Sequence, residues 1–367
     1  MITVSLLCGG NMPGHDIIVM GASAGGVEAL MAVVRRLPHD LPAAVFIVLH
    51  IPAQSSSSLP HILGRSGRLE AVQATDGAAI EHGCIYVAPP DHHLLVEPEC
   101  VRVTHGPKEN HYRPAVDPLF RSAARAYGPR VVGVVLTGAL DDGTAGLLAI
   151  KRRGGLAVVQ DPDEALFPSM PRSALANVKV DYNLPISRIG PLLVGLVNEP
   201  AGEESAYQIP SEMEIETRMA EMDMDTQYHD ENVGTPSAFS CPECGGVLWE
   251  LRDGELLRFR CRVGHAFSVE SMIMGQSEVL EEALWIALKS LEESVSLSRR
   301  MAADARRRGQ DWLAQQFEGK LHDAERHVML IRQVLLQDAR PAARDMSADQ
   351  SATGSEGQAG DPAHRAM

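Results

Sequence analysis

Val19-Met20-Gly21-Ala22-Ser23-Ala24-Gly25-Gly26 lies between a short apolar run, Asp16-Ile17-Ile18-Val19-Met20, and a segment over 27–36 that reads as a helix. The apolar run reads as a buried strand. A turn of small residues lets backbone come close to a ligand. It also aims the free N–H groups and the positive end of the following helix at that ligand. Two mechanisms use such a turn. Gly21-x-Ser23-x-x-Gly26 is a loose match to a dinucleotide phosphate cradle. Gly21-x-Ser23-x-Gly25 fits a nucleophile on a sharp strand-to-helix turn. A tight βα turn without chemistry is the third reading.

Residue 50 weighs between them. After a stop at Leu37-Pro38-His39-Asp40-Leu41-Pro42, the run Ala43-Ala44-Val45-Phe46-Ile47-Val48-Leu49-His50 reads as a second buried strand. Ser23 and His50 are then one right-handed crossover apart, just beyond the carboxyl ends of two parallel strands, where open α/β sheets bind ligands. A dinucleotide fold wants Asp or Glu near the end of its second strand. A serine nucleophile wants a general base, and histidine is the usual one. The bland alternative for His50 is a polar strand cap.

Further strands are expected over 83–88, 131–136, 156–160 and 180–184, with helices over 119–127 and 187–197. Residues 94–97 and 101–103 read as a hairpin at the sheet edge, and His92 and His93 beside it as surface or structural. Val131-Val132-Gly133-Val134-Val135-Leu136 runs into a second small-residue turn, Thr137 to Gly146. Asp141 and Asp142 in that turn are either helix N-caps or the carboxylate that orients a histidine. The pattern is α/β: a doubly wound, mostly parallel sheet with a small edge hairpin.

Residues 16–197 resemble the catalytic domain of the bacterial chemotaxis protein-glutamate methylesterase family. The resemblance rests on Gly21-Ala22-Ser23-Ala24-Gly25-Gly26, Leu49-His50-Ile51-Pro52, Tyr86-Val87-Ala88-Pro89-Pro90-Asp91, Arg113-Pro114-Ala115-Val116-Asp117, Leu136-Thr137-Gly138 with Asp142-Gly143, and Met170-Pro171, in the family's order. It implies Ser23 as nucleophile, His50 as base and Asp142 as orienting acid. The family usually has threonine where this chain has Ala24, and Thr-Gly-Met-Gly where it has Thr137-Gly138-Ala139-Leu140. The methionine position lends a backbone N–H to the oxyanion hole, which makes Ala139 the candidate here. Leu140 in place of glycine bears on rate rather than fold. The implied activity is demethylation of glutamate γ-methyl esters on chemotaxis-type receptors through an acyl-enzyme, with deamidation of glutamine by the same apparatus. No catalytic cofactor is implied. The implied partners are methylated cytoplasmic helices of receptors. Full-length members usually carry an N-terminal receiver domain, whereas only residues 1–15 precede the first strand here. Control is therefore expected from the C-terminal half or from a trans-acting regulator. A weakly active or non-catalytic signalling adaptor on the same fold is the alternative function.

The chain has 367 residues and a formal net charge of −15, which argues against nonspecific nucleic-acid binding. No apolar run approaches the roughly 18 residues of a membrane span, and no signal peptide is evident, so a cytoplasmic location is expected. Cys8, Cys84 and Cys100 stand alone and read as small buried hydrophobes. Cys241-Pro242-Glu243-Cys244 and Cys261-x-x-x-His265, around a hairpin turn at Asp253-Gly254, have the spacing of a zinc-ribbon-like knuckle holding structural zinc. A redox pair of Cys241 and Cys244 is the alternative. Apolar stripes through Leu280, Leu284, Ala287, Leu291 and Val295, and through Leu313, Phe317, Leu321, Ala324, Val328, Ile331 and Leu335, predict an α-helical hairpin broken at Gly309. The expected division is an N-terminal extension (1–15), catalytic domain (16–197), mostly disordered acidic linker (198–235) with a helix over 211–224 on contact, zinc-ribbon-like module (236–272), helical hairpin (273–338) and disordered tail (339–367).

Overall fold

β1 (Ile17–Ala22) is buried along its whole length, and its alternation sends Ile17 and Val19 into one core and Ile18, Met20 and Ala22 into another. A strand apolar on both faces must be covered on both, so it sits centrally in a parallel sheet. The computed structural model describes residues 14–55, 57–203, 207–222 and 234–338. α1 (Gly26–Val34) carries the chain to β2 (Ala44–Leu49), which pairs with β1 in parallel. α2 (Leu59–Ser66), β3 (Glu70–Gln73), β4 (Cys84–Val87) and the antiparallel pair β5 (His93–Glu97) and β6 (Cys100–Thr104) follow. α3 (Val116–Tyr127) then returns the chain to β7 (Val131–Val135) on the other side of β1. α4 (Thr144–Arg152), β8 (Leu156–Gln160), α5 (Ser169–Asn177), β9 (Tyr182–Leu184) and α6 (Ile186–Leu196) complete this part.

The strand order is β3-β4-β2-β1-β7-β8-β9, with every pair parallel. α1, α2 and α6 cover one face; α3, α4 and α5 cover the other. The hairpin expected at the sheet edge is instead a separate two-stranded sheet packed on α3, because Leu94, Val96 and Val101 enter the core that α3 seals. The sheet's edges are β3 and β9; in β3 Glu70 and Gln73 are exposed and Ala71 and Val72 half-buried, with no apolar alternation. Cys84 and Cys100 are half-buried, not buried; Cys8 lies outside the described residues.

Two compact units divide the chain, the first ending at Gln276 and the second beginning at Ser277. The first unit includes more than the parallel sheet. Within the stretch expected to be a mostly disordered linker, the helix expected over 211–224 on contact is present as α7 (Ser211–Glu221), packed on α3 and β6. Residues 223–233 of that stretch lie outside the described residues, as do 1–13 of the N-terminal extension and the whole 339–367 tail. β10 (Thr235–Ser240), β11 (Val247–Asp253), β12 (Leu256–Cys261) and β13 (Ala266–Ser268) form a four-stranded antiparallel sheet, and α8 (Val269–Arg307) starts directly after it.

A buried ion cluster joins these pieces. Glu109 accepts from Arg121 of α3 at 2.7 Å and from Arg260 of β12 at 3.0 Å. Glu216 of α7 accepts from Arg258 at 2.9 Å and from Arg260 at 3.0 Å. Burial opposes the charge on both glutamates, yet the arginines outweigh it and hold both carboxyls below their usual range.

In the second unit α8 runs antiparallel to α9 (Asp311–Asp338), with Gly309 at φ 68° in the turn. Of the expected stripes, Leu284, Ala287, Leu291 and Val295 on α8 are half-buried and Ala324 and Leu335 on α9 are buried, while Leu288, Ala302, Ala305 and Ala314, outside those stripes, are buried as well. The pairs Arg306–Glu318, Arg299–Glu325 and Arg332–Glu292 link the two helices. Leu280, expected in the first stripe, is 55% exposed.

Candidate active site

Ser23, His50 and Asp142 follow β1, β2 and β7, which are neighbours in the sheet and end at the same edge. Residues far apart in sequence are therefore brought to one rim by strand order. His50 Nδ1 lies 3.2 Å from Ser23 Oγ, and His50 Nε2 lies 2.7 Å from Asp142 Oδ2. An ionised carboxylate accepts only, so it selects the tautomer with the proton on Nε2. Nδ1 then offers its lone pair to the serine hydroxyl. The ring nitrogens are used in the opposite sense to the chymotrypsin-type triad, where Nε2 faces the serine.

Asp142 is buried and caged. Oδ2 also accepts the Val116 N–H at 2.6 Å; Oδ1 accepts Asn110 Nδ2 at 3.1 Å, Gly143 N–H at 3.0 Å and Asp117 N–H at 3.2 Å. Burial works against its charge, but His50 and these donors outweigh it and hold the carboxyl below the usual range. Asp117 goes the other way: burial and the neighbouring Asp142 charge push it well up. Asp141, the rejected member of the pair, is pushed up to about 7 by burial, against a hydrogen bond from Ser268 Oγ at 2.7 Å. The pair Asp141 and Asp142 thus divides into a carboxyl raised by burial and one held low by its donors and His50.

The Thr137–Leu140 turn is locked beside the serine. Ser23 N–H donates to Thr137 O at 3.0 Å, Thr137 Oγ1 donates to Ala24 O at 3.1 Å, and Gly138 N–H donates to Phe167 O at 2.9 Å. A Cβ on Gly138 would sit 2.0 Å from Met170 Sδ and 2.8 Å from Ser23 Cβ, so only glycine fits. The Ala139 N–H follows that contact and has no hydrogen-bond partner among the described residues. Leu140 adopts φ 59°, a left-handed conformation that costs a non-glycine residue about 1–2 kcal/mol. The position requires a glycine-type backbone, and this chain meets it with leucine.

Sequence reasoning missed Asn110, Tyr112 and a role for Asp117. The Tyr112 ring stacks on His50 with centroids 3.7 Å apart and planes at 10°. Of the histidines expected to be surface or structural, His93 is buried, donating from Nε2 to Pro107 O at 2.8 Å and accepting the Ala115 N–H at 3.3 Å. It pins the two ends of the segment that carries Asn110 and Tyr112.

Away from the rim, one ligand atom from each of Cys241, Cys244, Cys261 and His265 lies within 4.8 Å of all the others. Cys244 Sγ is 3.8 Å from Cys261 Sγ, and His265 Nδ1 is 3.7 Å from Cys241 Sγ and 3.5 Å from Cys261 Sγ. Ideal tetrahedral zinc would set sulfurs about 3.8 Å apart and sulfur to nitrogen about 3.6 Å. The donor set fits that ion in both chemistry and spacing.

A family model described as CheB methylesterase matches residues 18–193. A putative protein-glutamate methylesterase/protein-glutamine glutaminase of Leptospira interrogans serovar copenhageni is 40% identical over 183 residues, covering 50% of this chain and 95% of that protein. A protein-glutamate methylesterase/protein-glutamine glutaminase of Methanosarcina mazei is 35% identical over 191 residues, covering 50% of this chain and 52% of its own length. The crystal structure of the Thermotoga maritima CheB methylesterase catalytic domain is 32% identical, covers 49% of this chain and 98% of its own, and has a TM-score of 0.48.

Proposed function

The chain belongs to the CheB methylesterase family, and from that premise we propose that Ser23, His50 and Asp142 hydrolyse glutamate γ-methyl esters on the methylated cytoplasmic helices of a chemotaxis-type receptor. The observation that carries the reading is the continuous run of hydrogen bonds from Ser23 Oγ through the His50 ring to Asp142. His50 Nδ1 takes the hydroxyl proton as Ser23 Oγ bonds to the ester carbonyl carbon. Asp142 stays ionised and stabilises the imidazolium that forms. The Ala139 N–H donates to the oxyanion, a contact worth roughly 3–4 kcal/mol in such sites. The tetrahedral adduct collapses, its C–O bond to methoxide breaks, and the Nδ1 proton leaves with it as methanol. Water then attacks the acyl-enzyme with His50 again as base, which frees the glutamate side chain and restores Ser23. A glutamine side chain follows the same path with ammonia as the leaving group. Leu140, the departure that bears on rate, keeps the left-handed conformation of the turn beside an intact hydrogen-bonded run, which supports the hydrolase over the weakly active or non-catalytic adaptor.

On the same reading Cys241, Cys244, Cys261 and His265 hold a structural zinc that folds the ribbon and takes no part in the chemistry. The substrate implies a cytoplasmic location; no helix among the described residues is long and apolar enough to cross a membrane. The test is methanol release from methylated receptor membranes. The wild-type chain is expected to release it, and Ser23→Ala to be slower by on the order of 10⁴-fold or more. Equal release by the two proteins overturns the assignment.

A further inference from the structure

We propose that the C-terminal ribbon is a working part of the active site, with Asn110 as the positioning residue through which it holds Asp142. This rests on the hydrolase reading above.

The Asn110 amide is fully used. Its Oδ1 accepts the Ser268 backbone N–H at 2.9 Å and the Ser271 hydroxyl at 3.0 Å. The backbone N–H can only donate, which fixes the amide's orientation. Nδ2 must then face the carboxylates, donating to Asp142 Oδ1 and to Asp117 Oδ2, both at 3.1 Å. One planar group thus links the end of β13 and the first turn of α8 to the acid that orients His50.

The segment carrying this amide is held from the same side. Asn110 and His111 have φ 50° and 70°, left-handed values that side chains seldom adopt. Such a conformation persists where surrounding contacts over-determine it. Here they come from the ribbon: Asn110 N–H donates to Ala266 O at 2.8 Å, and His111 Nε2 lies 2.7 Å from Ser271 O. The neighbouring Glu109 is buried against Arg260. The next residue, Tyr112, is the one stacked on His50. One face of the His50 ring and the Oδ1 side of Asp142 are therefore held by a loop that the ribbon grips.

Orientation of the acid and receptor docking are separable by measurement. Displacing a catalytic group by about 1 Å costs on the order of 10²-fold in rate. Loss of one neutral hydrogen bond in the support costs about fivefold. The experiment uses the full chain and two readouts: kcat and KM for methanol release, and the rate at which a fluorophosphonate probe labels Ser23, which requires no receptor. Asn110→Leu is expected to lower kcat and labelling together by about 10²-fold, and Ser271→Ala by about fivefold, with KM within twofold. Arg252→Ala, an exposed substitution on the same ribbon, is expected to change neither. Should Asn110→Leu fail to fold, Ser271→Ala decides alone. Wild-type labelling rates in the variants, or a change confined to KM, overturn the proposal. A wild-type chain that the probe does not label at Ser23 overturns the hydrolase reading and this inference with it.

Discussion

Asp142→Asn is a sharper perturbation than its size suggests, because the cage around residue 142 dictates where the new amide must point. Oδ1 faces three donors: Asn110 Nδ2, Gly143 N–H and Asp117 N–H. An NH2 group placed there would oppose all of them. Oδ2 faces the Val116 N–H and His50 Nε2. Of these only the imidazole can change role, so the NH2 goes to that side. Val116 N–H then loses its acceptor in a buried site, which costs about 1–3 kcal/mol of stability. His50 Nε2 becomes an acceptor, and its proton moves to Nδ1, facing Ser23. That tautomer cannot take the serine proton. The corresponding change in a serine protease lowers kcat about 10⁴-fold, and the same factor is expected here. Methanol release under saturating receptor gives kcat, and chemical denaturation gives the stability. A variant that keeps more than a tenth of wild-type kcat would refute the tautomer argument.

The ribbon should contain one zinc per chain by elemental analysis, and Cys244→Ser should lose it and unfold the 235–268 sheet, since such sites supply about 10–16 kcal/mol of folding free energy. Intact near-ultraviolet circular dichroism after metal removal would contradict this. Asp141 is raised by burial to about 7, so the stability it contributes is full below its unfolded value and is lost as pH climbs to about 7. Asp141→Asn should therefore gain up to about 4 kcal/mol over wild type above pH 7 and nothing below pH 4, measured by denaturation at each pH. Glu109 and Glu216 shift in the opposite sense, so their contribution is present at neutral pH and lost as the solution is acidified below about 4. Arg260→Met leaves both glutamates short of a buried partner and should cost about 3–5 kcal/mol; a loss under 1 kcal/mol would argue that the cluster is not buried in solution.

The sheet was legible because its strands are apolar runs ended by turns of small residues. Ser23, His50 and Asp142 each stand one to several residues past such a run, and a parallel sheet has one carboxyl edge. Asn110 and Tyr112 had no such signal. They lie in an irregular segment, and the contacts that give them roles come from Ser268, Ser271 and His50, far away in the chain. For α7 the sequence predicts a helix over 211–224 only on contact, and it has that contact on α3 and β6, but its buried face, Met213, Glu216, Thr217 and Ala220, mixes apolar residues with a glutamate and so does not show as a clean apolar stripe. Glu216 is 3% exposed and is paired with arginines that only the fold supplies. β3 and β10 are short, polar edge strands, and an edge strand has no second apolar face to reveal it. Leu140 is visible in the sequence as a departure from the usual glycine, but what it does is set by a dihedral angle that the sequence does not record.

The central claim is that Ser23 carries the acyl group. Mass spectrometry of the chain quenched during turnover of a γ-methyl glutamyl substrate reads this directly. An acyl adduct on the peptide containing Ser23, absent from Ser23→Ala, is the expected result. Steady turnover with no adduct at Ser23, or an adduct on another residue, would contradict the account.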